Sequence, residues 1–514
     1  MLACPKCRGA RRWWVRLAAV LLASPYTAGA VDLLDAYRQA LENDATFLAA
    51  KANAAAASEA VPQARAGLLP NLSFNANRST NNTDITQTNA FLGGKVTSNF
   101  DYMAEGQNLT LRQPLYRRAN MAQYRQAEAQ VAVAERTLEF ERQNLALRVA
   151  AAYFNVLAAQ DHLRFAAEQK KAYYEQWQRA SAMLEKGAGT RTDRDEAKAR
   201  YDGVLSQEID AANAVDLAER TLASITGQPA PASALASLDA GRLLLQPPKP
   251  ALFDKWVSLG VASNPELASL RYGIEAYVQE VDKQRSGHLP TLDLIAQRSY
   301  TSSESVSTIG SAYNTRMIGL QLAIPLFSGG AVMSAERQAQ AGLERSRQQY
   351  EAGKRQMTLN LRREYNNVLL GISKVRALEE ALKSARLALA STEMGVKAGT
   401  RNTLDVLNAR QQIYATQRDL GKARYDYVVG GLRLQAVAGT MSEEVIETVN
   451  QWLSVGGTER ANIIIPAVRK PSTDGGRKQG SAPAAAARVA AALGAAKALD
   501  ANEPEPQKRD SVER

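Results

Sequence analysis

The chain holds only 2 cysteines and 2 histidines in 514 residues. That leaves almost no material for a zinc site, a disulfide framework or histidine-based catalysis. No run of about 20 uncharged apolar residues follows the N-terminal segment, so no helix of the later chain is expected to cross a bilayer. Aromatic residues make up 6%. With abundant alanine, glutamine, arginine and glutamate, that scarcity favours long helices over a compact enzyme core. The reading is of a non-enzyme without cofactor or metal. Length alone would allow three domains of about 150 residues each.

What is present begins with a leader pattern. Residues 1–30 carry Lys6, Arg8, Arg11, Arg12 and Arg16 and no acid, then an apolar run from Leu17 to Ala23 and the small residues Ala28, Gly29 and Ala30. That order predicts a secretory signal peptide over 1–30. Cys4 and Cys7 lie within it, so their Cys-x-x-Cys spacing carries no site. Without those five basic residues the net charge falls from +11 to +6, too mild to point to nucleic acid. No cysteine follows the apolar run for lipid attachment.

The chain is then written twice. Leu69-Pro70-Asn71-Leu72 recurs as Leu289-Pro290-Thr291-Leu292, and Pro114-Leu115-Tyr116 as Pro325-Leu326-Phe327. Tyr153-Phe154-Asn155-Val156-Leu157 is echoed by Tyr365-Asn366-Asn367-Val368-Leu369, and Gly189-Thr190-Arg191 by Gly399-Thr400-Arg401. The collinear offsets divide the chain into repeats over 31–245 and 246–455, with a Pro-rich linker at 229–250 between them. Residues 456–514 are Ala-, Gly-, Lys- and Pro-rich without periodicity and read as a disordered tail.

Each repeat has one grammar. A helical stretch (32–67, 251–287) ends at a Leu-Pro pair. Two segments with strand-like alternation follow: Leu72, Phe74 and Ala76 with Leu109 and Leu111, then Leu292 and Leu294 with Ile318, Leu320, Leu322 and Ile324. Membrane β-barrel strands have this form, and an ordinary half-buried sheet reads the same way strand by strand. The segments 80–103 and 301–315, rich in Asn, Ser, Thr and Gly, are expected as exposed hairpin loops. Next come heptad-spaced helices, through Tyr124, Val131, Leu138, Leu145, Ala152, Ala159 and Ala166, and through Leu361, Val368, Val375, Leu382, Leu389 and Val396. Gly-bearing turns at 186–190 and 397–400 end them, and a returning helix follows each.

These parts predict an α+β membrane protein with two internal repeats, each a β-hairpin plus long coiled-coil helices. Four strands cannot close a barrel, since the smallest need about 8, and open edges cannot stay unpaired in lipid. Chains must therefore share one. Three copies give 12 strands, the smallest plausible closure with a lumen, above a hollow helical cylinder.

The stretch Gly399-Thr400-Arg401-Asn402-Thr403-Leu404-Asp405-Val406-Leu407-Asn408, with Ala423-Arg424-Tyr425-Asp426-Tyr427 and Asn264-Pro265-Glu266-Leu267, resembles the TolC family of outer-membrane channels. The resemblance covers about 31–455. It implies a homotrimer in outer-membrane lipid, with a 12-stranded β-barrel and an α-helical periplasmic tunnel. Its implied partners are a periplasmic adaptor (membrane fusion) protein and an inner-membrane ABC exporter or proton-driven pump. It also implies a periplasmic gate closed by ion pairs and hydrogen bonds at the helical turns, at positions matching Thr192, Asp193, Arg401, Asp405, Asn408 and Arg424. The family's constriction is a ring of paired aspartates, of which Asp405 fits the first and Asn408 replaces the second. Val396 stands where the family often has a tyrosine.

Protein secretion through a type I system competes with multidrug efflux as the use of this duct. The absent lipid-attachment cysteine and the Gly-Thr-Arg-x-x-x-Asp-Val-Leu form resemble the secretion branch. A periplasmic coiled-coil adaptor without a barrel is the more distant alternative and predicts no amphipathic strands.

Overall fold

The structure, a computed structural model, describes residues 31–88 and 93–454. The expected leader, the expected tail and the hairpin tip at 89–92 lie outside the described residues. Among the described residues no helix is long and apolar enough to cross a membrane.

The chain opens with three short helices, α1 (Leu33–Asn43), α2 (Ala45–Ser58) and α3 (Ala60–Ala66), where one helical stretch was expected. Asp44 makes the first break. Its carboxylate accepts a hydrogen bond from the Phe47 amide at 2.7 Å, capping α2 as α1 ends. The hairpin β1 (Asn71–Thr88) and β2 (Lys95–Tyr116) leads into α4 (Arg118–Glu185), and α5 (Arg191–Thr226) returns. A short strand, β3 (Ser237–Leu238), lies in the Pro-rich segment. The second half repeats the order with α6 (Phe253–Ser263), α7 (Pro265–Arg285), β4 (Thr291–Ser302), β5 (Ala312–Ala323), α8 (Ala331–Lys397) and α9 (Thr403–Ala438). Here Asn264 makes the break, capping α7 by accepting from the Leu267 amide at 2.8 Å, with Pro265 at the first helical position. The described part ends with α10 (Glu443–Asn450) and β6 (Leu453–Ser454), which pairs with β3.

The helices match closely in length. α4 has 68 residues and α8 has 67, roughly 100 Å each at 1.5 Å per residue, and both return helices have 36. The α8 heptad is a seam: Leu361, Val368, Val375, Leu382 and Leu389 are all buried. α5 carries a seam of smaller residues, Ala197, Val204, Ala211 and Ala218, also seven apart and buried. Small seam residues let the helices approach closely. Both return helices end at a glycine with positive φ, Gly227 (+72°) and Gly439 (+74°). A Cβ at Gly227 would strike Asn43, and one at Gly439 would strike Ser263 and Asn264. In each half, then, the end of the return helix sits on the junction between two N-terminal helices, and only glycine fits.

At mid-length a core gathers α1, α6, the β3–β6 pair and all four long helices around Tyr153, Phe154, Leu222, Trp256 and Leu432. The Tyr153 hydroxyl donates to the carbonyls of Val31 and Ala236, at 3.1 and 2.9 Å, tying the start of the described chain and the Pro-rich segment to α4.

The four long strands form one antiparallel sheet in the order β1-β2-β4-β5. Most of 80–103, expected as a loop, is strand. Asn82 bonds across to Asn99 and Asp101, Asn99 to Asp84, and Thr86 to Thr97 at 2.8 Å, so the polar side chains join the strands rather than end them. The second expected loop also shortens, since β4 runs to Ser302 and β5 starts at Ala312.

At the junction between sheet and helices, Asp293 on β4 is 2% exposed. Its carboxylate accepts from Arg112 Nε at 2.9 Å and Arg117 Nε at 2.8 Å. Arg118 pairs with Asp282 of α7 at 2.6 Å beside it. A bulge between Pro114 and Tyr116 lets β2 leave the sheet at this level.

Leu361→Ala is expected to cost about 2–5 kcal/mol by opening a cavity in the α8 seam, read as a lowered thermal midpoint of the helical circular dichroism signal. Asp293→Ala strands two arginine forks at the junction and is expected to cost about 1–3 kcal/mol, read by the same midpoint. An unchanged midpoint would show that the junction is held by packing alone.

Candidate functional site

The far ends of the two helical hairpins carry the expected gate residues. Each turn is made by a glycine with positive φ, Gly187 (+71°) and Gly399 (+75°). The helix that follows starts on a side-chain cap. In the first turn the Asp193 amide donates to Thr190 Oγ1 at 3.1 Å, and that hydroxyl donates to the Asp193 carboxylate at 2.7 Å. In the second turn the Asp405 amide donates to Asn402 Oδ1 at 2.9 Å, and the Asn402 amide donates to Asp405 Oδ2 at 3.3 Å. This reciprocal cap satisfies two amides that the first helical turn leaves free.

The structure brings some of the six residues together and leaves others apart. Arg401 Nη1 lies 3.8 Å from Asp405 Oδ2 on an exposed face of the turn. Thr192 is exposed, next to Asp193 in the first turn of α5. Asn408 sits one turn into α9 and accepts a hydrogen bond from Arg200 Nη2 of α5 at 3.0 Å. Arg200 also donates to Gln411. Arg424 is 19 residues past Asp405, roughly 28 Å up α9, where its Nη2 donates to Glu379 of α8 at 2.8 Å. Between the two levels Arg410 Nη2 donates to Glu393 at 3.0 Å, so α8 and α9 are tied twice along their length.

Arg200 was not legible as a site residue, although one signal was available. It follows Ala197 by three and precedes Val204 by four, which puts it beside the α5 seam. Val204 itself packs with Tyr173 of α4 and Leu407 of α9. The seam thus brings α5 and α9 together, and Arg200 crosses at their margin.

Higher up, the four long helices line an open groove of about 1640 Å³, whose walls include Asn155, Asp161, His162, Lys374, Arg418 and Lys422. Burial, and then the nearby Arg418 charge, lower the His162 pKa and favour the neutral ring. The Tyr425 hydroxyl donates to Asp161 Oδ2 at 2.7 Å. Burial, with the Asp161 charge second, holds that phenol well above its ordinary pKa, so it remains a donor. The groove is a mixed polar surface, and among the described residues no group of three or more His, Cys, Asp or Glu is placed to hold a metal.

The sheet supplies the second functional surface. Its register puts Leu72, Leu111, Ala296 and Ile318 in one row across four strands, with Leu294 beside Leu320 and Leu292 beside Leu322 on the same face. Ile318 is 81% exposed and Leu320 67%. The opposite face holds Asn71, Ser73, Asn75, Asn108, Thr110, Gln297, Ser299 and Gln321. One face is therefore largely apolar and bare up to the row of Phe74 and Leu109, where Arg298 and Arg316 join it, and the other is mostly amide- and hydroxyl-lined, with Arg112 and Asp293 at its helix end, the sidedness of a barrel wall between lipid and lumen. Among the described residues neither β1 nor β5 has a partner on its outer edge.

Comparison with known proteins agrees with this architecture. The family model described as outer membrane efflux protein matches residues 36–228 and 256–440, one segment in each half. The alkaline protease secretion protein AprF of Pseudomonas aeruginosa is 37% identical over 84% of this chain and 89% of its own length. The proteases secretion protein PrtF of Dickeya chrysanthemi is 34% identical over 86% of this chain and 95% of its own. The outer membrane protein TolC of Vibrio cholerae is 34% identical over 83% and 94%. Among solved structures, the outer membrane protein VceC of Vibrio cholerae superposes with a TM-score of 0.68 over 80% of this chain and 97% of that one, at 19% identity. With both repeats matched and such relatives aligned along nearly their whole length, the chain belongs to the outer membrane efflux protein family, the TolC-like channels.

Proposed function

We propose that this chain is the outer-membrane exit duct of a tripartite export system and passively conducts a protein substrate from an inner-membrane ABC exporter and its adaptor to the outside. The observation that carries this reading is the similarity, across both repeats, to two proteins named for protease secretion. The amide and hydroxyl side chains that make up most of this face suit it, because apart from the paired Arg112 and Asp293 an extended polypeptide meets little charge there. The sheet would sit in the outer membrane, with the helices in the periplasm.

Three copies complete the assembly. The free edges of β1 and β5 pair between neighbours, giving 12 strands and leaving no unpaired backbone in lipid. The repeats 31–245 and 246–455 would each supply a hairpin to the barrel and a helical hairpin to the tunnel, while the exporter supplies the energy.

The periplasmic gate belongs to the same proposal. Thr192, Asp193, Arg401, Asp405 and Asn408 lie within two helical turns of the hairpin ends, and Arg424 ties α9 to α8 above them. Because Asn408 stands as an amide bound by Arg200, the ring at the constriction would carry one acid per copy, Asp405, and attract cations weakly. Small-molecule efflux would use the same duct with a proton-driven pump.

Two measurements test this. Cells lacking the chain are expected to retain the exporter's protein cargo, and restoring it should release the cargo. Undiminished secretion without it would overturn the reading. In planar bilayers, Arg401→Ala and Asp405→Ala are expected to raise single-channel conductance several-fold. Unchanged conductance in both variants would remove those residues from the gate.

A further inference from the structure

The bare face of the sheet ends in two cations. Its register sets Phe74, Leu109, Arg298 and Arg316 in one row, so the two arginines stand directly opposite each other on β4 and β5. Both are exposed. Like charges placed this way repel and cost a sheet stability.

The sheet itself offers them no counter-charge. On this face Arg298 has Ala296 and Tyr300 along β4, Leu111, Leu109 and Gln107 across on β2, and Ile318 and Asn314 on either side of Arg316. None is acidic. Arg78, two rows farther from the helices, already has Glu105 at 3.1 Å. A neighbouring copy would meet Arg316 before Arg298, because β4 is an interior strand. The partner of the pair has to come from the medium that the face meets.

Position says what that medium is. From Arg316 the face continues through Ile318, Leu320 and Leu322 to Ile324 and Leu326, all more than half exposed. The stretch from Arg316 to Leu326 would extend roughly 33 Å at about 3.3 Å per residue. At a tilt of about 40° that is roughly 25 Å along the membrane normal, the height of an apolar barrel band. The arginine row therefore falls at the limit of the hydrocarbon on the side away from the helices. Tyr300 follows one row farther out, 39% exposed, where interfacial aromatics collect. Gln107 and Asn314 flank it in the same row.

Two guanidinium groups about one strand spacing apart, roughly 5 Å, can close on a single phosphate, each with a planar pair of donors. The amides of Gln107 and Asn314 and the Tyr300 hydroxyl, one row outward, suit the hydroxyls of a sugar. We propose that Arg298 and Arg316 hold a phosphate of an outer-leaflet glycolipid, one that carries the phosphate on its sugar headgroup, with Gln107, Tyr300 and Asn314 against the sugar. This rests on the shared-barrel reading, which puts the bare face in lipid. The bound phosphate cancels the repulsion between β4 and β5. Since β5 is an edge strand that would meet the next copy, the lipid stabilises the wall beside the seam between subunits.

The test uses the full chain reconstituted as trimers in phosphatidylcholine vesicles, with the midpoint of heat dissociation to monomers read on gels. Adding lipid A to the vesicles is expected to raise that midpoint by several degrees. Arg298→Gln combined with Arg316→Gln should remove the rise, and lipid A stripped of its phosphates should give none. Should the double variant fail to assemble, Arg316→Gln alone is expected to show a smaller rise than the unaltered chain. Inorganic phosphate without lipid A should leave the midpoint where it was. No rise in the unaltered chain, an equal rise in the variants, or a rise with the phosphate-free lipid overturns the site. An equal rise with phosphatidylglycerol overturns the sugar headgroup as its occupant, and a rise with inorganic phosphate overturns the lipid. Amine crosslinking in the same vesicles reports trimers independently, and their absence overturns the shared barrel and the site with it.

Discussion

A backbone amide inside a bilayer must find its partner within protein, because hydrocarbon offers none. The four-stranded sheet meets that requirement for β2 and β4 and fails it on the outer edges of β1 and β5. The rest of the proposed design depends on closing those edges. The bare apolar row through Leu72, Leu111, Ala296 and Ile318 suits such a wall, as does the mostly polar face behind it.

The two ends of the molecule are held with different strengths. At the sheet junction, Asp293 is almost fully enclosed and shared by two arginines, so its buried charge keeps a partner even when one of them moves. At the helical turns, Arg401 and Asp405 are 3.8 Å apart and largely exposed, a geometry worth about 0–1 kcal/mol at most. The Arg200–Asn408 bond is also solvent-facing. Ties this weak can close an aperture only by acting together across copies, and modest work on the helices can break them. In the proposed gate, the duct would be anchored at the membrane and yield at its periplasmic end.

Much of this was legible in the sequence where the physics is periodic or local. The duplicated Leu-Pro pairs, the Gly-bearing turns and the heptads through Leu361 to Leu389 are short-range patterns, and the folded chain keeps them. Strand length was not legible. Between 80 and 103 the residues are Asn, Ser, Thr and Gly on either side of the alternation, which composition alone reads as loop. What makes them strand is the ladder of side-chain bonds across the hairpin, visible only once the register is known. The α5–α9 tie was hidden for a related reason. Arg200 and Asn408 are 208 residues apart in sequence, and no period links them.

The duplication leaves the hairpin ends level in shape but unequal in chemistry. Helices of 68 and 67 residues with returns of 36 each bring both turns to nearly the same height. Each turn has an arginine near an aspartate four residues on, Arg191 with Asp195 at 3.9 Å and Arg401 with Asp405 at 3.8 Å, but the first also carries Asp193 as its capping acid and Arg194 beside Asp195. A partner that docks by contour would find two near-equivalent seats per copy and twice the rotational order of the assembly. A partner that reads charge would tell the two apart by Asp193 and Arg194. The same rim can therefore present two symmetries at once, and the ratio of shape to charge in a partner's contact would decide how many of its copies the rim accepts.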